Sequence, residues 1–233
     1  METSEPYHLP ALVGEQYVLS SVISETPDTV LYAATQKDMQ RPVVFESLRP
    51  EVMDRPGDVQ NFLEKARAQA RMGGDRIAPV LELLHADGRW HLARMRLVGE
   101  PLDVMLSTGK RLSPEQMGVL LKLLCRLVLR MELEGVSSMD FALRHVHLTE
   151  SGFYFDNPAQ AGSRAREESR KYLSGAASAL MPLLDESFPR ADRMLSLLER
   201  MKQGEGWTVM SPLDWWEEAA DLLLTLRDAT RVS

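Results

Sequence analysis

Short runs rich in Val, Ile, Leu and Tyr, separated by turn residues, fill most of the first hundred residues, whereas apolar residues recur at three- and four-residue intervals thereafter, a change of pattern that limits the possible folds more than any other feature. Gln16 to Ile23 and Thr29 to Thr35 are rich in Val, Ile, Leu and Tyr and flank Glu25-Thr26-Pro27-Asp28, which predicts a hairpin. A third strand, Pro42 to Leu48, follows the polar stretch Lys37-Asp38-Met39-Gln40. From Asp58, the spacing of Phe62, Leu63, Ala66 and Ala70 predicts a helix that Gly73-Gly74 stops. Val80 to Leu84 and Trp90 to Val98 read as two further strands joined by Asp87-Gly88. The expectation is five strands and one helix after a polar leader over residues 1–15.

The remainder reads as helical. Ser113-Pro114-Glu115-Gln116 supplies an N-cap, a proline at the first helical position and a capping-box glutamine, and Met117, Leu120, Leu124, Leu127, Val128 and Met131 carry one apolar face to Gly135. Val146 to Leu148 and Phe153 to Phe155 form a short hairpin about Glu150-Ser151-Gly152. Helical spacing then covers Arg166 to Leu184, Ala191 to Met201 and Pro212 to Arg227.

Composition narrows the functional classes. A net charge of −7 disfavours general affinity for nucleic acid or anionic lipid, which attract basic surfaces. The basic group Arg164, Arg166, Arg170 and Lys171 is interrupted by Glu167 and Glu168 and reads as a solvated helix start. No eighteen-residue apolar run and no secretory pattern at Met1 to Pro6 is present, so the expectation is a cytoplasmic protein without membrane insertion. Cys125, the single cysteine, lies among leucines and reads as core.

The order of elements and several local sequences resemble a bacterial serine/threonine protein kinase from about Gln16 to Arg227. Arg41 to Pro50 resembles the third strand, Phe62 to Ala68 the regulatory helix, Asp140 to Leu148 the catalytic loop, and Tyr172 to Gly175 the start of the large central helix. The resemblance implies an α+β, two-lobed fold: a kinase-like N-lobe over residues 16–98, a reduced helical C-lobe over 99–233, and a junction near Gly99 to Leu102.

Departures from the family pattern fall on the chemistry. The glycine-rich loop that closes over ATP phosphates is replaced by Ser24-Glu25-Thr26-Pro27-Asp28-Thr29, without glycine and with two carboxylates. Glu46 stands at the phosphate-binding lysine of V-A-I-K, and Lys65 at the regulatory-helix glutamate, so the resemblance implies an ion pair with its signs exchanged. In the catalytic loop Asp140 keeps the place of the base, while Ala142 and His145 replace the lysine and the metal-binding asparagine. The D-F-G position falls on either Asp156 or Asn157, and about thirteen residues then remain for the activation segment. Arg94 lies on the strand leading to the hinge, where it would obstruct an adenine pocket unless it points outward.

Signatures of other chemistries are missing: no G-x-S-x-G, G-x-x-x-x-G-K-[ST], H-E-x-x-H or paired C-x-x-C occurs. His145 and His147 form an H-x-H pair on one strand face that would need a carboxylate to hold a metal, and they read instead as surface imidazoles. Trp215 and Trp216 lie about 100° apart on the last helix, and rows through Ala219, Leu222 and Leu226 and through Ala220, Leu223 and Leu224 predict that a broad buried face covers both. The expected function is that of a pseudokinase: a regulatory or scaffold module without cofactor or metal that binds another protein. The expected partner site lies at the interlobe front, bordered by Asp140, Arg144 and the 157–169 loop, with Arg144 and Arg164 as the partner-binding cations. The alternatives are a kinase-fold enzyme with a non-standard transfer using Asp140 and Asp156, or a structural subunit of an assembly.

Overall fold

The strand-rich half forms a six-stranded antiparallel sheet: β1 (Ala11–Val13), β2 (Tyr17–Glu25), β3 (Thr29–Gln36), β4 (Arg41–Leu48), β5 (Val80–Ala86) and β6 (Arg89–Met95), in the order β1-β2-β3-β4-β6-β5. This computed structural model describes residues 9–138, 141–157, 159–160, 165–189, 191–204 and 212–230. The chain divides into two units, Met1–Leu97 and Val98–Ser233.

Strand β1 lies inside the expected leader. Three residues are too few to show alternation, yet Val13 is fully buried, and Gly14 and Glu15 at φ of 56° and 62° turn the chain tightly into β2. The edge strands meet across the interior. Ala11 of β1 and Leu84 and Ala86 of β5 pack on one cluster built from Val13, Tyr17, Leu19, Tyr32 and Phe45. The Tyr17 hydroxyl donates to Glu82 Oε2 at 2.8 Å, and burial together with this bond pushes the phenol pKa well above its usual value. At Gly14, where φ is 56°, a Cβ would also stand 2.8 Å from Leu84 Cδ1, so the left-handed turn packed against β5 favours glycine.

Helix α1 (Pro56–Met72) sets Phe62 and Ala66 against Leu48, Val52 and Leu92. Proline stands at its N-terminus, and Gly73 ends it in extended conformation.

In the second unit come strand β7 (Glu100–Pro101), helix α2 (Leu102–Ser107) and α3 (Pro114–Glu134). Both bonds of the predicted capping box at Ser113 and Gln116 are present, and Gly135 closes α3 at φ 62°. Strands β8 (Ser137–Ser138), β9 (Val146–Thr149), β10 (Gly152–Phe155) and β11 (Ala159–Gln160) follow, with β9 central between β7 and β10, and β8 paired to β11. Helices α4 (Ala165–Leu180), α5 (Ala191–Gln203) and α6 (Pro212–Thr230) complete the unit. Helix α4 stops four residues before the expected Leu184 because Pro182, without an amide hydrogen, opens the chain into a 3-10 turn over Met181–Leu183.

Helices α3 and α6 approach closely at Gly118, where a Cβ would fall 2.7 Å from Leu223 Cδ2. Trp215 is fully buried, but Leu224 is 61% exposed, so the expected second buried row is only partly covered; the side chain of Trp216 lies outside the described residues. Cys125 is buried as expected, which pushes its thiol pKa up to about 12. Among the described residues no helix is long and apolar enough to cross a membrane.

His91 sits in the core of the sheet, stacked 5.1 Å from Phe45, with Nδ1 2.8 Å from Ser47 Oγ and Nε2 3.0 Å from the Ala86 carbonyl. The carbonyl can only accept, so Nε2 carries the proton and the Ser47 hydroxyl donates to Nδ1. Burial pushes the imidazole pKa down to about 4. The unfolded chain therefore takes up a proton near pH 6.5 that the native state refuses, and stability present above pH 6.5 is lost as pH falls towards 4. The expected loss is about 3 kcal/mol. Urea melts between pH 7 and 4 should show this slope in the native sequence and a reduced slope in His91→Gln.

Candidate functional site

In the first unit, β4 pairs with β6 so that Glu46 lies opposite Leu92 and Val44 opposite Arg94. Glu46 and Arg94 thus share one face of the sheet as diagonal neighbours. From α1, whose Phe62, Ala66 and Gln69 are buried, Lys65 reaches the same point. Its Nζ lies 2.8 Å and 3.1 Å from the two Glu46 oxygens, and Arg94 Nη2 approaches Oε2 at 3.7 Å. Arg94 Nη1 donates to Gln69 Oε1 at 3.4 Å. Glu46 is only 4% exposed. Burial alone would raise its pKa, but the charges of Lys65 and Arg94 outweigh burial and hold the carboxyl below its ordinary value.

The geometry therefore brings together Glu46 and Lys65, as expected from sequence, and adds two residues. Arg94, expected only as an obstruction, is drawn to the carboxylate. Gln69 was not singled out, although its position one helical turn after Lys65 carried the signal.

The β2–β3 turn is occupied by its own contacts. Thr26 N donates to Thr29 O at 2.9 Å, Asp28 N and Thr29 N donate to Thr26 Oγ1 at 3.3 Å and 2.9 Å, and Pro27 has no amide hydrogen. Arg49 pairs with the Glu25 carboxylate and donates from Nε to Thr26 O at 3.0 Å, while Arg55 bonds Asp28 at 2.7 Å. Arginines that follow β4 thus neutralise both carboxylates of the turn.

In the second unit, His145 ends a 3-10 turn over Leu143–His145, and His147 lies in β9. They are not on one strand, nor are they surface imidazoles. Asp156 N donates to His145 O at 2.8 Å, which places Asp156 Oδ2 3.2 Å from His145 Nδ1 and 4.0 Å from His147 Nε2. The side chains of His145 and His147 are 27% and 15% exposed. Of the two residues that the resemblance offers for the D-F-G position, Asp156 faces His145, whereas Asn157 is fully buried and accepts from Ala159 N at 3.3 Å. Among the described residues no group of three His, Cys, Asp or Glu side chains is arranged to hold a metal ion. Arg144 is exposed; Asp140 and Arg164 lie outside the described residues.

The Glu46 cluster makes a testable demand. Lys65→Met removes the nearer of the two cations from a nearly buried carboxylate and should lower stability by about 3 kcal/mol, read from denaturant melts. Exchanging Glu46 and Lys65, which looks tolerable for an isolated pair, should destabilise as well, because a lysine on β4 would then face Arg94. Adding Arg94→Leu should recover part of that loss.

No protein-family model and no curated protein matches this chain. Solved structures do. The kinase domain of PknI from Mycobacterium tuberculosis superposes with a TM-score of 0.67 at 13% identity, covering 92% of this chain and 99% of that one. A second structure of the same domain gives 0.64 at 14% identity over 92% and 97%, and a mutant form gives 0.63 at 14% over 94% and 98%. The chain has a bacterial serine/threonine protein-kinase-like fold, with a curled antiparallel sheet and one helix in its N-lobe and helices dominating its C-lobe.

Proposed function

We propose that this chain is a pseudokinase, a kinase-fold module that transfers no phosphate and acts by binding another protein. The observation that carries this reading is the ionised Glu46 at the position of the phosphate-binding lysine, held by Lys65 and Arg94. A phosphate-binding lysine works because its charge opposes the triphosphate; a buried carboxylate in its place repels the same group. The β2–β3 turn supports the same conclusion, since its three amide hydrogens already have acceptors inside the turn. These residues do not fit a bound magnesium triphosphate.

The fold with its lysine–glutamate pair reversed still holds α1 on the sheet, so it can present a fixed surface to a partner. We place that surface where Arg144 is exposed and where the sequence puts Arg164. Asp156 beside His145 favours one other reading, a kinase-fold enzyme with a non-standard nucleotide-dependent transfer.

Two measurements separate these readings. A ligand that binds the native state must raise the melting temperature, by about 2.7 kcal/mol of stabilisation at a hundredfold excess over its dissociation constant. Millimolar ATP with magnesium should leave the melting temperature unchanged; a clear rise supports the enzyme reading. Arg144→Glu combined with Arg164→Glu should keep the native melting temperature while reducing capture of the partner from host extract, and undiminished capture would move the binding surface elsewhere.

A further inference from the structure

The histidines among the described residues use their two ring nitrogens in different ways. His91 is fully buried with both nitrogens hydrogen-bonded. His85 is exposed and packs edge-on against Trp90 at 5.1 Å, with no carboxylate bonded to it. His147 has Nδ1 buried without a hydrogen-bond partner. A buried lone pair costs less than a buried N–H, so its proton sits on Nε2, which approaches Asp156 Oδ2 at 4.0 Å.

His145 alone combines an anchored nitrogen with an open one. Its Nδ1 lies 3.2 Å from Asp156 Oδ2, and a carboxylate only accepts, so Nδ1 carries the proton and the lone pair stands on Nε2. The side chain is 27% exposed, and Nε2, unlike Nδ1 of His147, is not a buried atom. A carboxylate on Nδ1–H fixes the tautomer and ring orientation and directs electron density to the opposite nitrogen. Imidazole in that state is a nucleophile. The class of electrophile follows from Arg144, which precedes His145 in the 3-10 turn, is exposed and has no ion pair among the described residues. A guanidinium beside a nucleophile suits an incoming group that carries several oxyanions, and a phosphoryl group matches its fork of donors.

We propose that His145 Nε2 accepts a phosphoryl group from a small acyl phosphate and is thus a modification site. The Nε2 lone pair attacks phosphorus, and the Nε2–P bond forms as the bond from phosphorus to the acyl oxygen breaks. The carboxylate leaves with that electron pair, and it leaves readily, so one oriented imidazole suffices. The ring then carries a positive charge on the Nδ1–H side, where Asp156 holds it, and Arg144 pairs with the phosphoryl oxygens. The inference goes beyond the pseudokinase reading, because here the chain receives a phosphoryl group rather than transferring one. The two fail separately: an unreactive His145 leaves that reading intact, and ATP binding leaves the His145 reaction intact.

The test is incubation of the full chain with acetyl phosphate at about pH 8, where the neutral imidazole predominates, read by peptide mass spectrometry and phosphorus NMR. One phosphoryl group should appear on His145 at Nε2, about tenfold faster than on the more exposed His85. His145→Gln should abolish that signal. Asp156→Asn should slow the reaction about tenfold at an unchanged melting temperature, and Asp156→Glu should restore part of the rate. Arg144→Ala, at an exposed position, should also slow it and serves as the check if an Asp156 variant fails to fold. A native chain that forms no phosphohistidine at residue 145 overturns the proposal, as does label that appears on His85 equally fast or on Nδ1 of His145. An unchanged rate in folded Asp156→Asn or in Arg144→Ala overturns it as well.

Discussion

The carboxylate of Glu46 is almost removed from water, and the placement of its neighbours follows from what that demands. A buried anion is tolerable only beside compensating charge, and here Lys65 and Arg94 supply it from α1 and β6. Three elements distant in sequence are thereby held at one point: β4 by Glu46, α1 by Lys65 and β6 by Arg94. Phe62, Ala66, Leu48 and Leu92 pack around the same junction, so charge pairing and apolar packing locate α1 together. The ion pair adds direction, which hydrophobic burial alone lacks.

Under the proposed reading, in which Glu46 and Lys65 are a kinase's ion pair with its signs exchanged, the exchange has consequences beyond the pair itself. Where a kinase carries lysine on this strand, positive charge is available to a phosphate. Glutamate on the strand turns the requirement inward, because the carboxylate needs cations from the protein's own chain. The β2–β3 turn follows the same logic: Glu25 and Asp28 are neutralised by Arg49 and Arg55, and the turn's amides are satisfied by Thr26 and Thr29. In both places, charged and polar groups are engaged with the chain itself.

Sequence and structure divide the information unequally. Long periodic segments and capped ends were legible: α3, with Ser113, Gln116 and Gly135 at its ends, is determined by local spacing and local hydrogen bonds. So were the β2–β3 hairpin and the β9–β10 hairpin. Strand β1 and helix α2 were not, because three and six residues are too short for a period to stand out, and their placement rests on contacts with distant segments. The turn at Pro182 was visible in the sequence but was overridden by the apolar spacing around it.

For the candidate site, the sequence by itself determined residue identities and order, and so the pairing of Glu46 with Lys65 through their positions on strand and helix. Only the tertiary structure decided what joined them. Arg94 reaches Glu46 because strand register makes them diagonal neighbours, and register depends on pairing between segments about fifty residues apart. His145, His147 and Asp156 meet because a 3-10 turn and a hairpin fold back on each other, a coincidence no local period encodes. Leu224 differs from Leu223 by one step of helical rotation, yet one lies against Gly118 and the other faces outward. Local chemistry determines which groups are available, whereas long-range packing determines which of them are neighbours and which remain exposed.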